Sequence, residues 1–220
     1  MPDVLEGPVE DDGASGVLTA YVPGTIRADA AWDDVREGYA TLLEGLGRAA
    51  TDDHELGRPR SWCGGAQWPD VVQYRLVPLL PSDVGRRAAR LVHDVLGAEA
   101  EASPVLVHGD LGPHNVTWAV DAGGALTPVG LLDVDHAAHG DPAIDVAPLV
   151  GAFGAAAVAD LVTAETLARA MRHRATLSLQ VAAAAELIDD VSLRDHALAN
   201  VVSRARAGTL YDPGGSAPSD

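Results

Sequence analysis

The sequence predicts an α+β fold that is predominantly α, with its strands confined to a few short runs. Three observations carry this. Apolar residues recur at steps of three and four across residues 29–48 and again across 81–97. Short β-branched and aromatic runs, bounded by Gly, Pro and Asp, occur at 17–22 and between 104 and 132. From Asp141 to about Ala207 the chain is alanine-rich and reads as helix in three or four segments.

Taken in order, residues 17–22 read as a strand stopped by Pro23-Gly24. In the first helix Trp32, Val35, Tyr39, Leu42, Leu43 and Leu46 share one face, and Asp33, Asp34, Glu37 and Glu44 take the other. Gly38 and Gly45 interrupt that pattern, each at a cost of about 1 kcal/mol against alanine. Residues 51–70 hold Trp62, Gly64, Gly65, Trp68 and Pro69 without a period. They read as a long irregular loop, either functional or a plain surface excursion. Ser82 is the expected N-cap of the second helix, whose buried stripe is Val84, Ala88, Leu91, Val92 and Val95 and whose end is Gly97. Strands are expected at 104–107, 116–120 and 128–132, the last two forming a hairpin about Asp121-Ala122-Gly123-Gly124. Asp141-Pro142 has the form of an N-cap and first helical residue. Residues 212–220 are expected to be a disordered tail.

With 220 residues, 47% of them apolar, the chain can bury a substantial core as one soluble domain. Fifteen basic against thirty-two acidic residues give a net charge of −17, which argues against nucleic acid or an anionic membrane as partner. It permits a cationic or neutral small molecule. Cys63 is the single cysteine, so no intrachain disulfide can form, and a reducing cytoplasmic location is expected. The first twelve residues are acidic and do not read as a signal peptide. The longest apolar run, 146–159, falls short of the about 20 residues that a membrane helix needs. All fifteen basic residues are arginine.

The segment His108-Gly109-Asp110-Leu111-Gly112-Pro113-His114-Asn115 has the spacing H-x-D-x-x-x-x-N and follows an expected buried strand. Phosphoryl transfer needs one carboxylate to orient and accept the proton of an attacking hydroxyl, and oxygen ligands that hold Mg²⁺ against the phosphates. Asp110 and Asn115 supply those groups. The hairpin then returns the chain to Leu131-Leu132-Asp133, bringing a second metal-binding carboxylate. His108 reads as a structural residue bonding the loop backbone. His114, His136 and His139 read as solvated loop residues or local caps, and Asp135 as a carboxylate behind the metal ligands or a ligand itself.

The pair HGDLGPHN and LLDVDHAAHGDPAIDVA resembles the two signature segments of the aminoglycoside phosphotransferase family, small-molecule kinases with a protein-kinase-like fold. The resemblance covers about residues 15–210. It implies Asp110 as the catalytic aspartate, Asn115 and Asp133 as metal ligands, and Gly140, Asp141, Pro142 and Asp145 as the segment that fixes the loop and starts the helix, with His108 beside it. Val134 departs from the family's usual aromatic residue. The implied reaction is ATP-dependent transfer of the γ-phosphoryl group to a hydroxyl of an aminoglycoside or similar small molecule, with Mg²⁺. Two other readings stand: a non-catalytic kinase-like binding module, and a metal-dependent phosphohydrolase built on His108, Asp110, His114, Asp133, Asp135, His136, His139 and Asp141.

The family's glycine-rich loop and its lysine have no counterpart in this sequence. The expected organisation is therefore a remnant of the N-terminal lobe at 1–25, consisting of its last strand and the hinge, then a helical C-terminal catalytic lobe at 26–211 and the tail. The strand at 17–22, left without sheet neighbours, is expected to invite self-association. Little phosphotransfer is expected of such a chain on its own.

Overall fold

The structure, a computed structural model, describes residues 4–11, 14–49 and 56–218. Strands β1 (Val4–Asp11) and β2 (Ala14–Thr19) pair antiparallel, with Val4 opposite Thr19 and Asp11 opposite Ala14. The strand expected at 17–22 therefore starts earlier, ends at Thr19 and is hydrogen-bonded to a neighbour on one side. Its sequence signal is the dipeptide Asp12-Gly13, a strong short-range hairpin cue. Beyond Pro23, β3 (Thr25–Ile26) pairs with a later strand, and α1 (Trp32–Arg48) follows with Val35, Gly38 and Tyr39 on its buried side.

Of the expected loop at 51–70, residues 51–55 lie outside the described residues, and from Ser61 on the chain is wound rather than irregular. Short turns at Ser61–Cys63 and Gly65–Gln67 lead into α2 (Trp68–Asp70), a π-helical turn at Val71–Leu76 and a final turn at Val77–Leu79. Cys63, Trp68, Val72 and Leu76 are buried, so packing of the large apolar side chains holds a stretch whose mixed winding has no single period to read. Helix α3 spans Ser82–Glu99, passing through Gly97, where the expected end lay. Its N-cap position is Pro81, without a side-chain cap, so Ser82 is the first helical residue and not the cap.

Strand β4 (Val105–Val107), the hairpin of β5 (Val116–Val120) and β6 (Leu126–Leu131), and β7 (Ala138–Gly140) fall close to expectation. β3, β5 and β6 form one sheet in that order, and β4 pairs antiparallel with β7, Val107 opposite Ala138. Four helices complete the alanine-rich region: α4 (Ala143–Phe153), α5 (Ala155–Val158), α6 (Ala164–Leu187) and α7 (Val191–Ala207). Among the described residues no helix is long and apolar enough to cross a membrane.

Helix α6 is the spine. Its Ala170 and Met171 join the apolar cluster of α1, the β5–β6 hairpin and α4, and its Leu179, Ala182 and Ala183 join the cluster of Trp68, α3 and α7. Small alanine faces let these helices approach closely while the bulk comes from neighbouring elements. The chain beyond α7 is anchored at Asp212, the first residue of the expected tail. Asp212 is buried, and its Oδ1 accepts the Ala155 N–H at 2.8 Å. Arg174 Nη1 donates to the carbonyls of Thr209 and Leu210 at 2.8 and 2.7 Å. These bonds satisfy backbone carbonyls left open beyond α7, which is why the chain stays attached there.

Candidate functional site

The loop 108–115 leaves β4, and the paired β7 fixes its base. Its backbone is held from below by Asp145 in the first turn of α4. Asp145 is 2% exposed, and its Oδ2 and Oδ1 accept the N–H groups of His108 and Gly109 at 2.7 and 2.8 Å. Burial pushes this carboxyl up to about 6, against the two N–H donors that favour its charged form. Gly109 has φ +89°, and a Cβ there would sit 2.3 Å from the His136 carbonyl oxygen, so both the conformation and the close approach require glycine.

His108 ties the loop to the returning hairpin. Its Nε2 lies 2.8 Å from the Leu132 carbonyl, and its Nδ1 accepts the Asp110 N–H at 3.3 Å. That pair of bonds selects the neutral Nε2–H tautomer. Burial lowers the imidazole pKa, opposed by the Leu132 carbonyl and by the carboxylates of Asp110 and Asp133, both close enough to act on the ring.

Asp110 and Asn115 come together. The Asp110 side chain is part-exposed, and buried Asn115 donates from Nδ2 to the Asp110 carbonyl at 2.8 Å and to its Oδ2 at 3.1 Å. The short turn at Pro113–Asn115 brings this about by folding the loop back on itself. With Nδ2 so engaged, Asn115 Oδ1 has no protein donor among the described residues. The Leu132 N–H donates to the Asn115 carbonyl at 2.9 Å, so Asp133 is the next residue along from that bond. Asp133 is exposed and adopts φ 55°, a left-handed conformation that aspartate tolerates better than most residues.

Two features escaped sequence reading. His114 is an exposed loop residue, as expected, but its Nε2 also lies 3.3 Å from Asp110 Oδ2; the only sequence signal for that contact is the i,i+4 spacing across the turn. Helix α4 starts at Ala143 with Pro142 at the N-cap position, one residue later than expected, but Asp141 still accepts the Ala143 N–H at 2.9 Å and also meets Arg169 Nε at 2.9 Å and His173 Nε2 at 3.3 Å on α6. Its side chain is fully buried; burial pushes its pKa up, but His173, the Ala143 N–H and Arg169 outweigh this and hold it below the usual carboxylate range. No local pattern announces partners about thirty residues away.

The ligand types proposed for a phosphohydrolase do not converge: among the described residues no three His, Cys, Asp or Glu side chains are placed to hold one ion. Asp135 is exposed, and the His136 ring stacks on Trp62 with centroids 5.0 Å apart. Next to the Asp110 loop, a cleft of about 700 Å³ runs between residues 19–26 and the hairpin, lined by Thr19, Tyr21, Val22, Ile26, Thr117 and Leu132.

Comparison with known proteins gives the family and the fold. A family model described as "Phosphotransferase enzyme family" matches residues 1–179. Viomycin phosphotransferase of Streptomyces vinaceus is 31% identical over 163 residues, covering 67% of this chain and 55% of that protein, so the chain spans about half the length of this curated relative. An aminoglycoside phosphotransferase solved with GDP and kanamycin superposes with a TM-score of 0.78 at 16% identity, over 94% of this chain and 76% of that one. A second aminoglycoside phosphotransferase, in ternary complex with AMP-PNP and hygromycin B, gives a TM-score of 0.63 at 16% identity, over 94% and 77%. The fold is thus the protein-kinase-like one, and the chain belongs to the phosphotransferase enzyme family whose signature segments its 108–145 region resembles.

Proposed function

We propose that the protein is a small-molecule phosphotransferase that moves the γ-phosphoryl group of ATP to a hydroxyl of an aminoglycoside-like or otherwise cationic acceptor in the cytoplasm. The observation that carries this is the Asp110 carboxylate, part-exposed on a loop whose backbone is clamped by Asp145 and His108 and crossed by Asn115. In this reading Asp110 takes the hydroxyl proton as the new oxygen–phosphorus bond forms and the bond from the γ-phosphorus to the bridging oxygen breaks with ADP as the leaving group, and the clamp keeps the carboxylate in place without reorganisation. The cleft along residues 19–26 receives the nucleotide base, with Leu132 and Thr117 as its floor. The division into an N-terminal, hinge-bearing segment to about residue 25 and a helical catalytic lobe at 26–211 belongs to the same proposal.

The donor set fits Mg²⁺, a hard cation that takes oxygen ligands. Asn115 Oδ1, which no described donor occupies, and the exposed Asp133 carboxylate would hold it. When bound, the ion neutralises charge on the phosphates. The acidic balance of the chain, −17, favours a cationic acceptor over an anionic one.

Calorimetry with Mg²⁺ and ATP or GTP tests the reading together with phosphate transfer to viomycin and to a panel of aminoglycosides. Asp133→Asn is expected to weaken nucleotide binding about tenfold or more, through loss of a charged oxygen ligand. Asp110→Asn is expected to leave nucleotide binding nearly intact while lowering transfer by about 10²-fold or more. Binding indifferent to Mg²⁺, or transfer that survives Asp110→Asn, overturns the proposal.

A further inference from the structure

The two oxygens of the Asp110 carboxylate are not equivalent. Oδ2 has two donors, Asn115 Nδ2 at 3.1 Å and His114 Nε2 at 3.3 Å, whereas Oδ1 has none among the described residues. A carboxylate only accepts, so the proton lies on His114 Nε2 in this contact. The imidazole reaches this position because of Gly112. At φ −94°, ψ 165° that residue has extended backbone open to any amino acid, yet a Cβ there would lie 2.6 Å from His114 Cε1 and 2.9 Å from Nδ1. Glycine at 112 thus serves to make room for the ring, not to allow the turn. Pro113, between them, fixes one backbone angle and holds the pair in register.

We infer that His114 is a positioning residue: with Asn115 it occupies Oδ2, sets the plane of the Asp110 carboxylate and reserves Oδ1 for the acceptor hydroxyl. This rests on the proposed function of Asp110. A carboxylate held by one donor can swing about its χ angles, whereas two donors from neighbouring residues on the same oxygen restrict it. A nucleophile then meets a base already aligned, which is where orientation contributes to rate.

The test combines kinetics and crystallography on the full chain. His114→Ala is expected to lower kcat about tenfold with the nucleotide KM unchanged. His114→Gln, whose amide Nε2 stands about as far from Cβ as the imidazole Nε2, restores kcat to within about threefold, and the shorter His114→Asn does not. Gly112→Ala, which displaces the ring, reproduces His114→Ala, and the double variant is no slower than either single one because both remove the same contact. In crystal structures Oδ2 of Asp110 faces Asn115 in the wild type, and in His114→Ala the carboxylate turns or splits between rotamers. An unchanged kcat in His114→Ala, or a lowered kcat with the carboxylate unmoved, overturns the inference. For a preparation that turns over no acceptor, the carboxylate position alone decides, and an unmoved one overturns it. Transfer that survives Asp110→Asn is a different result: it removes the reading of Asp110 itself.

Discussion

Gly38 and Gly45 occupy the same helix, α1, and replacing each with alanine should move stability in opposite directions. In a helix interior alanine is favoured over glycine by about 1 kcal/mol, because glycine loses more backbone freedom on folding. At Gly45 nothing lies within 4 Å of a new Cβ, so the whole gain should appear. At Gly38 the Cβ would stand 2.4 Å from Trp118 Cζ3, 2.7 Å from Cη2 and 3.0 Å from Pro128 Cδ. Trp118 is 1% exposed and meets Tyr39 edge-on with centroids 5.5 Å apart, so the indole has no room to retreat. Overpacking of this kind costs about 1–3 kcal/mol, and with Cβ contacts this short the upper part of that range applies, so the helical gain of about 1 kcal/mol is outweighed and the net loss reaches up to about 2 kcal/mol. For a chain of this size about 1 kcal/mol shifts Tm by about 2–4 °C, so the two variants should separate clearly in thermal and urea unfolding. Gly45→Ala should melt above the wild type and Gly38→Ala below it. Two shifts of the same sign would refute the account of Gly38 as a packing site for Trp118.

Two further expectations concern the buried charges behind the loop. Asp145 keeps its proton to about pH 6 in the folded protein and loses it near its ordinary value of 3.8 when unfolded, so its penalty develops as pH rises from about 4 to 6 and amounts to about 3 kcal/mol. Asp145→Asn removes that term but turns an acceptor into a donor facing a backbone N–H. Urea unfolding should therefore show it destabilised most at pH 4.5, with the gap to wild type narrowing at pH 7.5; a gap that widens contradicts the assignment. Among the described residues, Arg169→Ala leaves the buried Asp141 carboxylate with His173 and the Ala143 N–H, and breaking a buried pair this way costs about 3 kcal/mol. Asp141 has a depressed pKa, so its stabilisation holds at neutral pH and is lost as pH falls through its folded value. A loss below about 1 kcal/mol in Arg169→Ala at pH 7 would mean the ion pair does not carry the α4–α6 junction.

Local patterns determined much of this protein. The periodicity of 32–48, the hairpin around Asp121-Ala122-Gly123-Gly124 and the alanine-rich helices depend on neighbours three or four residues away, or two across a turn, so the sequence displays them directly. The spacing of Asp110 and Asn115 was legible for the same reason, since one short turn brings them into contact. Tertiary structure decided what depends on distant partners. The wound stretch 61–79 is set by burial of Trp68 and Leu76 against α3 and α6, and no repeating pattern within it could reveal that. The Asp141 contacts with Arg169 and His173 join residues about thirty positions apart, and Asp212 reaches Ala155 across 57. Gly38 and Gly45 look alike in the sequence because each appears there only as a helix-weakening residue. Only the position of the Trp118 ring separates a packing site from an open one, since a side chain's volume acts on whatever the fold places beside it.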